Sequence, residues 1–157
     1  MKTYNILSIQ EFKTIIGDNS RLLGIDPGKT NVGIAICDEN KKVATPIKVI
    51  KKKKLVSLVD EINKIINDNH IKGIVIGNPI NMDGSVGKSS KSALEFAKNL
   101  SKNITIPIVL WDERLSSEGV FKITSVLGDN VTNRVKNLDK NAAAFILQGA
   151  IDYLNIN

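Results

Sequence analysis

The feature that most narrows the fold is a change of hydrophobic period in the middle of the chain. Leu55, Leu58, Val59, Ile62, Ile65 and Ile66 fall on one helical face, with Lys, Asp, Glu and Asn opposite. GIVIG at 73–77 follows, a continuous apolar run of the kind carried by strands buried on both faces. A one-sided helix feeding a two-sided strand calls for a sheet covered on both sides. IPIVLW at 106–111 repeats the strand signature, and Ala93, Leu94, Phe96, Ala97 and Leu100 mark a helix between the two runs. Upstream, RLLGID (21–26), NVGIAICD (31–38) and a segment at about 43–51 read as three strands joined by short turns, an antiparallel meander. Two helices, about 116–127 and 139–154, finish the chain on either side of a polar stretch at 128–138. The order βββ-α-β-α-β-α-α predicts an α/β fold: a mixed five-stranded sheet, antiparallel meander plus parallel strands, with helices on both faces.

Residues 1–20 read as an N-terminal extension with a short amphipathic helix, because Ile6, Ile9, Phe12, Ile15 and Ile16 have helical spacing. Residues 21–157 then make one domain, which suits the length. No run approaches the ~18 apolar residues of a membrane span. Glu11 and Asp18 interrupt the opening segment, which lacks the apolar core of a secretory signal, so a cytoplasmic protein is expected. A single cysteine, Cys37, leaves no internal disulfide, and its apolar setting suits a buried thiol.

The net charge of +6 permits a polyanionic partner without requiring one. Where the charge sits is more telling. Lys41, Lys42, Lys48 and Lys51–Lys54 place seven cations between 41 and 59 with no acid among them. A solvated strand end and helix start, or a patch facing phosphates, would both look like this.

Ligands of such sheets gather at the carboxyl ends of the parallel strands, and the acids are there. Asp26 closes the first strand, Asp112 and Glu113 close the last, and Asp139 opens the final helix. Acids without His or Cys favour hard cations such as Mg²⁺ or Mn²⁺. Two such ions about 4 Å apart activate water and stabilise the leaving oxygen of a phosphodiester. Each acid alone also fits turn or capping chemistry; three at matching element ends favour a site. The loop at 81–90 offers glycines, hydroxyls and Lys88 to a phosphate, yet Met82 stands where a P-loop needs glycine. His70, the one histidine, ends a polar helix and reads as solvated, and Trp111 reads as core.

Four stretches, GIDPGKTNVGIAICD (24–38), IVIGNPINMDGS (74–85), DERLSS (112–117) and LDKNAAAFILQ (138–148), make the chain resemble the YqgF/RuvX family from about Leu22 to Tyr153. Members are described as Holliday junction resolvases and are assigned to maturation of the 16S ribosomal RNA precursor. The resemblance implies a ribonuclease H-like fold and a Mg²⁺- or Mn²⁺-dependent nuclease. Its substrate would be structured RNA, pre-16S rRNA first, or branched DNA, and the protein a monomer or homodimer. It assigns Asp26, Asp112, Glu113 and Asp139 to the metal and Lys136 to the scissile phosphate. Lys29, Lys88 and Arg114 are expected as further nucleic-acid contacts, although Arg114 would equally suit a salt bridge within the core. Asn31 and Asn78 depart from the common family pattern, which often has Arg and Leu there. Two other functions fit less well. Asp26-Pro-Gly-Lys-Thr30 is also similar to the phosphate loop of actin-like and sugar-kinase ATPases, but those use two such domains. A non-catalytic RNA-binding module would keep the basic surface and not cleave.

Overall fold

The computed structural model describes residues 5–52, 54–79, 87–112 and 131–156, with the backbone alone for 88–90 and 131–140. In chain order the elements are β1 (Ile6–Leu7), α1 (Ile9–Ile16), β2 (Arg21–Pro27), β3 (Asn31–Cys37), β4 (Ala44–Lys51) and α2 (Leu55–Asn69). There follow β5 (Ile71–Asn78), α3 (Lys88–Ser101), β6 (Ile108–Asp112) and α4 (Val131–Ile156).

One mixed sheet runs in the order β1-β6-β5-β2-β3-β4. The meander is as expected, β2 pairing antiparallel with β3 and β3 with β4, and β5 and β6 join β2 in parallel. The strand count differs from expectation: six strands, not five. The extra one is Ile6–Leu7, parallel to β6 through Ile6↔Ile108 and Leu7↔Val109. Two residues carry no periodicity, so nothing in the sequence separates them from the helix that follows. Ser8 makes that separation: its side chain accepts from Glu11 N while Glu11 reaches back to the Ser8 N–H, a capping box that starts α1 at Ile9. The first 20 residues thus give a strand and a helix to the common sheet.

Two layers of side chains cover the sheet. On one face Leu23, Ile25, Ile74, Ile76 and Ile108 pack with Leu58, Ile62 and Ile66 of α2 and Phe96 and Leu100 of α3. On the other, Leu22, Ala35, Val75, Val109 and Trp111 pack with Phe12 of α1 and Ala143, Leu147 and Ile151 of α4. Glycines set how closely the second pair of helices approaches. A Cβ at Gly73 would lie 2.6 Å from the Phe12 ring, and one at Gly24 would lie 2.7 Å from Leu147 Cβ and 2.9 Å from the Ala143 carbonyl oxygen.

Helix α4 is also tied to the β3–β4 turn. Gln148 accepts from Ala44 N and donates to Lys42 O, both at 2.9 Å, and Asn155 donates to Lys41 O at 2.7 Å. Lys41, nearly buried, donates to Gly17 O at 2.7 Å and so joins this turn to the end of α1. Asp38 organises the turn itself, accepting from Lys42 N at 2.8 Å and Val43 N at 2.9 Å. The expected helix at 116–127 lies outside the described residues. The polar stretch expected at 128–138 is a connection only in part, since α4 already begins at Val131 and is broken at Asn141 (φ −116°, ψ 17°).

Candidate active site

The carboxyl ends of β2, β5 and β6 form one edge of the sheet, and β4 ends there too because it runs antiparallel to β3. Asp26 is the penultimate residue of β2, paired with Gly33. A Cβ at Gly33 would lie 3.5 Å from both the Asp26 and Ala143 Cβ atoms, so Asp26 sits on the α4 face beside a position that carries no side chain. The turn after it is tight: Gly28 N donates to Asp26 O at 3.0 Å, and a Cβ at Gly28 would meet the Asn31 carbonyl oxygen at 2.4 Å. Asp26-Pro-Gly is therefore both a turn and the mouth of the site. Lys29 lies exposed in that turn.

Helix α4 approaches the same edge. Gly24 lies under Leu147 and Ala143, and Gly33, beside Asp26, lies under Ala143. Moving toward the carboxyl edge of the sheet thus means moving toward the start of α4. Asp139 precedes Ala143 by four residues and lies on the helical segment before the break at Asn141. Lys136 is nearly another turn back, and the side chains of both lie outside the described residues.

Asp112 closes β6 in register with Asn78. It shares the edge with Asp26 but not the face. Trp111 belongs to the α4 layer, meeting Tyr153 edge-on at 5.5 Å, whereas Leu110 packs on the α2/α3 layer. Alternation therefore sends Asp112 toward α2 and α3, away from Asp26. Glu113 and Arg114 lie outside the described residues. Lys88 is the first residue of α3, whose start faces this edge; its side chain also lies outside the description. Among the described residues no three His, Cys, Asp or Glu side chains converge. On the face of Asp26 the described donor is that carboxylate, a hard oxygen of the kind that suits a divalent cation such as Mg²⁺, while Ala143 covers the space over Gly33.

Other candidates fall away from the edge. His70 is the exposed C-cap of α2, at the far end of the sheet. Cys37 is buried; burial pushes its thiol up, against the opposing effect of the Leu22 N–H 3.2 Å away. What the sequence did not single out at the site is the end of β4. Lys51 pairs with Asn31, and Lys52 N donates to Thr30 O at 2.8 Å, so the lysine run meets the Asp26 turn. The run was visible in the sequence, but which end of the sheet it would reach was not.

A mixed sheet whose second long strand is reversed, with helices on both faces, is the ribonuclease H-like fold, and solved structures bear this out at the level of fold. *Thermus thermophilus* RuvC in complex with a Holliday junction substrate superposes with a TM-score of 0.57 at 12% identity, over 87% of this chain and 96% of that one. The yeast mitochondrial Holliday junction resolvase Ydc2 gives 0.51 at 14% identity, over 94% of this chain and 84% of the other. A family profile described as "RuvX: Holliday junction resolvase" matches residues 20–153. The chain is 51% identical to a *Pelagibacter ubique* protein named "Putative pre-16S rRNA nuclease", over 96% of this chain and 99% of that one. A *Zymomonas mobilis* protein of the same name is 36% identical, over 94% and 93%. The chain belongs to the RuvX family and is a hydrolase acting on phosphodiester bonds.

Proposed function

We propose that this chain is a divalent-metal-dependent endo- or exonuclease that processes pre-16S ribosomal RNA in the cytoplasm, as a monomer or homodimer. The observation that favours the reading is the placing of Asp26, at a strand end and on the face of the sheet that α4 covers through Ala143. The pre-16S substrate is favoured by the names of the relatives at 51% and 36% identity. Residues 21–157 carry the nuclease site in this reading, and Ile6–Ile16 complete the sheet and its core.

Asp26, Glu113 and Asp139 would hold Mg²⁺ or Mn²⁺, with Asp112, on the other face, supporting the edge rather than the ion. When bound, the ion supplies an acidified water and charge stabilisation for the leaving oxygen. The chain's own cations do the rest: Lys136 and Arg114 neutralise the scissile phosphate, and Lys29 and Lys88 hold the flanking backbone. Asp26 and Asp139, themselves anions, would meet the phosphate only through the ion they hold, so their part is to fix where that ion sits relative to these cations.

The family description favours a second substrate, branched DNA. Labelled precursor rRNA and a four-way DNA junction, each incubated with Mg²⁺, Mn²⁺ or EDTA, separate the readings. Wild type is expected to cleave the RNA with metal, and neither EDTA-treated protein nor Asp26→Ala to cleave it. Cleavage of the junction alone would replace RNA by DNA. Binding of either without cleavage in any metal would leave a non-catalytic nucleic-acid-binding module.

A further inference from the structure

The lysine run divides in the fold. Lys41 is spent inside the molecule on Gly17 O, and Lys42 stays with it at the β3–β4 turn, remote from Asp26. Lys51, Lys52 and Lys54 are carried by β4 to the opposite end, the edge where Asp26 lies, and all three are exposed. The register fixes the relation. Asp26 pairs with Gly33, Gly33 with Val49, and two residues on Asn31 pairs with Lys51, so Lys51 shares the face of Asp26. Two strand spacings separate them laterally, about 10 Å. Lys52 turns to the other side, its Nζ 5.5 Å from the centroid of the Phe96 ring, at the lip of an open cleft of ≈ 320 Å³ between α2 and α3. Lys54 follows at the first turn of α2.

This surface is unlike a general solubilising coat. The nearest acids along the chain are Glu39 before it and Asp60 after it, and in space two acids meet it, Glu95 in the cleft beside Lys52 and Glu61 in a second cleft with Lys48 and Lys51. The first turn of α2 has no acid, and its N-cap is Lys54, with no side-chain cap bond. A cation there opposes the helix dipole, where a carboxylate would be stabilising. Such an arrangement costs the free protein some stability, and a polyanion laid across it would offset the cost. The far edge is of mixed sign by contrast: Lys64, Lys72 and Lys102 share it with Asp68 and Asp18.

We propose that Lys51, Lys52 and Lys54, continuing from Lys29, form a phosphate track that carries the substrate strand from Asp26 across β3 and β4 to the start of α2. The partner is the backbone of a nucleic-acid strand, read by charge and not by base. The track rests on the nuclease reading for its direction, since Asp26 marks where the strand is cut, but its affinity for phosphates is independent of cleavage.

Binding of a labelled RNA stem with single-stranded flanks, and of a four-way DNA junction, is measured by fluorescence anisotropy in EDTA between 50 and 300 mM KCl. The proteins are wild type, the triple variant K51Q/K52Q/K54Q, and the charge-matched K64Q/K72Q/K102Q. Each phosphate contact contributes about 0.7–0.9 to the slope of log affinity against log salt. The first variant is expected to lower that slope by about 2 to 3 and weaken binding at least tenfold at low salt, and in cleavage assays to raise KM more than it lowers kcat. The charge-matched variant is expected to keep the wild-type slope. An unchanged slope in the first variant, or an equal loss in the second, overturns the track. A slope difference with no cleavage by wild type in Mg²⁺ keeps the track and removes the nuclease reading. The polymer showing the larger slope difference identifies which strand the track holds.

Discussion

Asp26 and Asp112 close strands of one sheet yet project to opposite faces, and this has consequences for which acid matters. The motif Asp112-Glu113-Arg114 offers two carboxylates in succession, and neighbours on a strand cannot both face the same site. With Trp111 committed to the α4 layer, Asp112 is turned away from Asp26. Glu113→Gln is therefore expected to lower cleavage more than about 100-fold and Asp112→Asn only about 10-fold, the size of effect typical of residues that support a metal site from outside it. Single-turnover rates with Mg²⁺ check this, and equal losses would put both acids at the ion. Asp38 makes a different kind of prediction. The N–H groups of Val43 and Lys42 hold its carboxyl below the usual carboxylate range. A carboxyl depressed in the fold contributes stability that is present above its unfolded value and lost as pH falls through the folded one. Unfolding midpoints should therefore fall as pH drops below about 4, and Asp38→Ala should be less stable at neutral pH with a flatter acid limb. At this scale, the sequence revealed the acids but not their facing. That depended on which layer claimed Trp111, a long-range matter that alternation alone leaves open.

Helix α4 rests on a groove that Gly24 and Gly33 leave in the sheet. Adding one methyl at Gly24 would bring it within 2.9 Å of the Ala143 carbonyl oxygen and closer still to Leu147 Cβ, contacts that only a shift of the helix can relieve. Because Ala143 also lies against Gly33, the partner of Asp26, the shift would be felt at the edge. Gly24→Ala is expected to cost about 1–3 kcal/mol in denaturant unfolding and to reduce cleavage by up to about 100-fold, as an ångström of misplacement can. A stability loss with full activity would show that the helix yields without moving its first turns. Elements with a strong period were legible in advance: Leu58, Ile62 and Ile66 announced α2, and GIVIG announced β5. Those without one were not. Ile6–Leu7 is too short to alternate, and α4 begins among Thr132, Asn133 and Arg134, residues that look like a connection until a helix further on extends back through them.

At the scale of the molecule, five of the six strands among the described residues run one way and β3 runs back, so the ends of β2, β4, β5 and β6 open on one edge. That single reversal brings together Asp26, Asp112, the start of α3 and the lysines of β4, which are scattered along the chain. The layered α/β class was legible from the order of periods. The convergence of lysines on the acids was not, because it depends on β4 pairing with β3 in the register Asn31↔Lys51. The strand at the other margin of the sheet bears on synthesis. Ile6 pairs with Ile108, a residue made about a hundred positions later. At about 5–20 residues per second, β1 waits some 5–20 seconds after its own synthesis for its neighbour to exist. Phe12 has its seat on Gly73 sooner, so α1 can dock while β1 is still unpaired. Ile6 and Leu7 then take their place late, and that margin of the sheet is sealed only once β6 has been made.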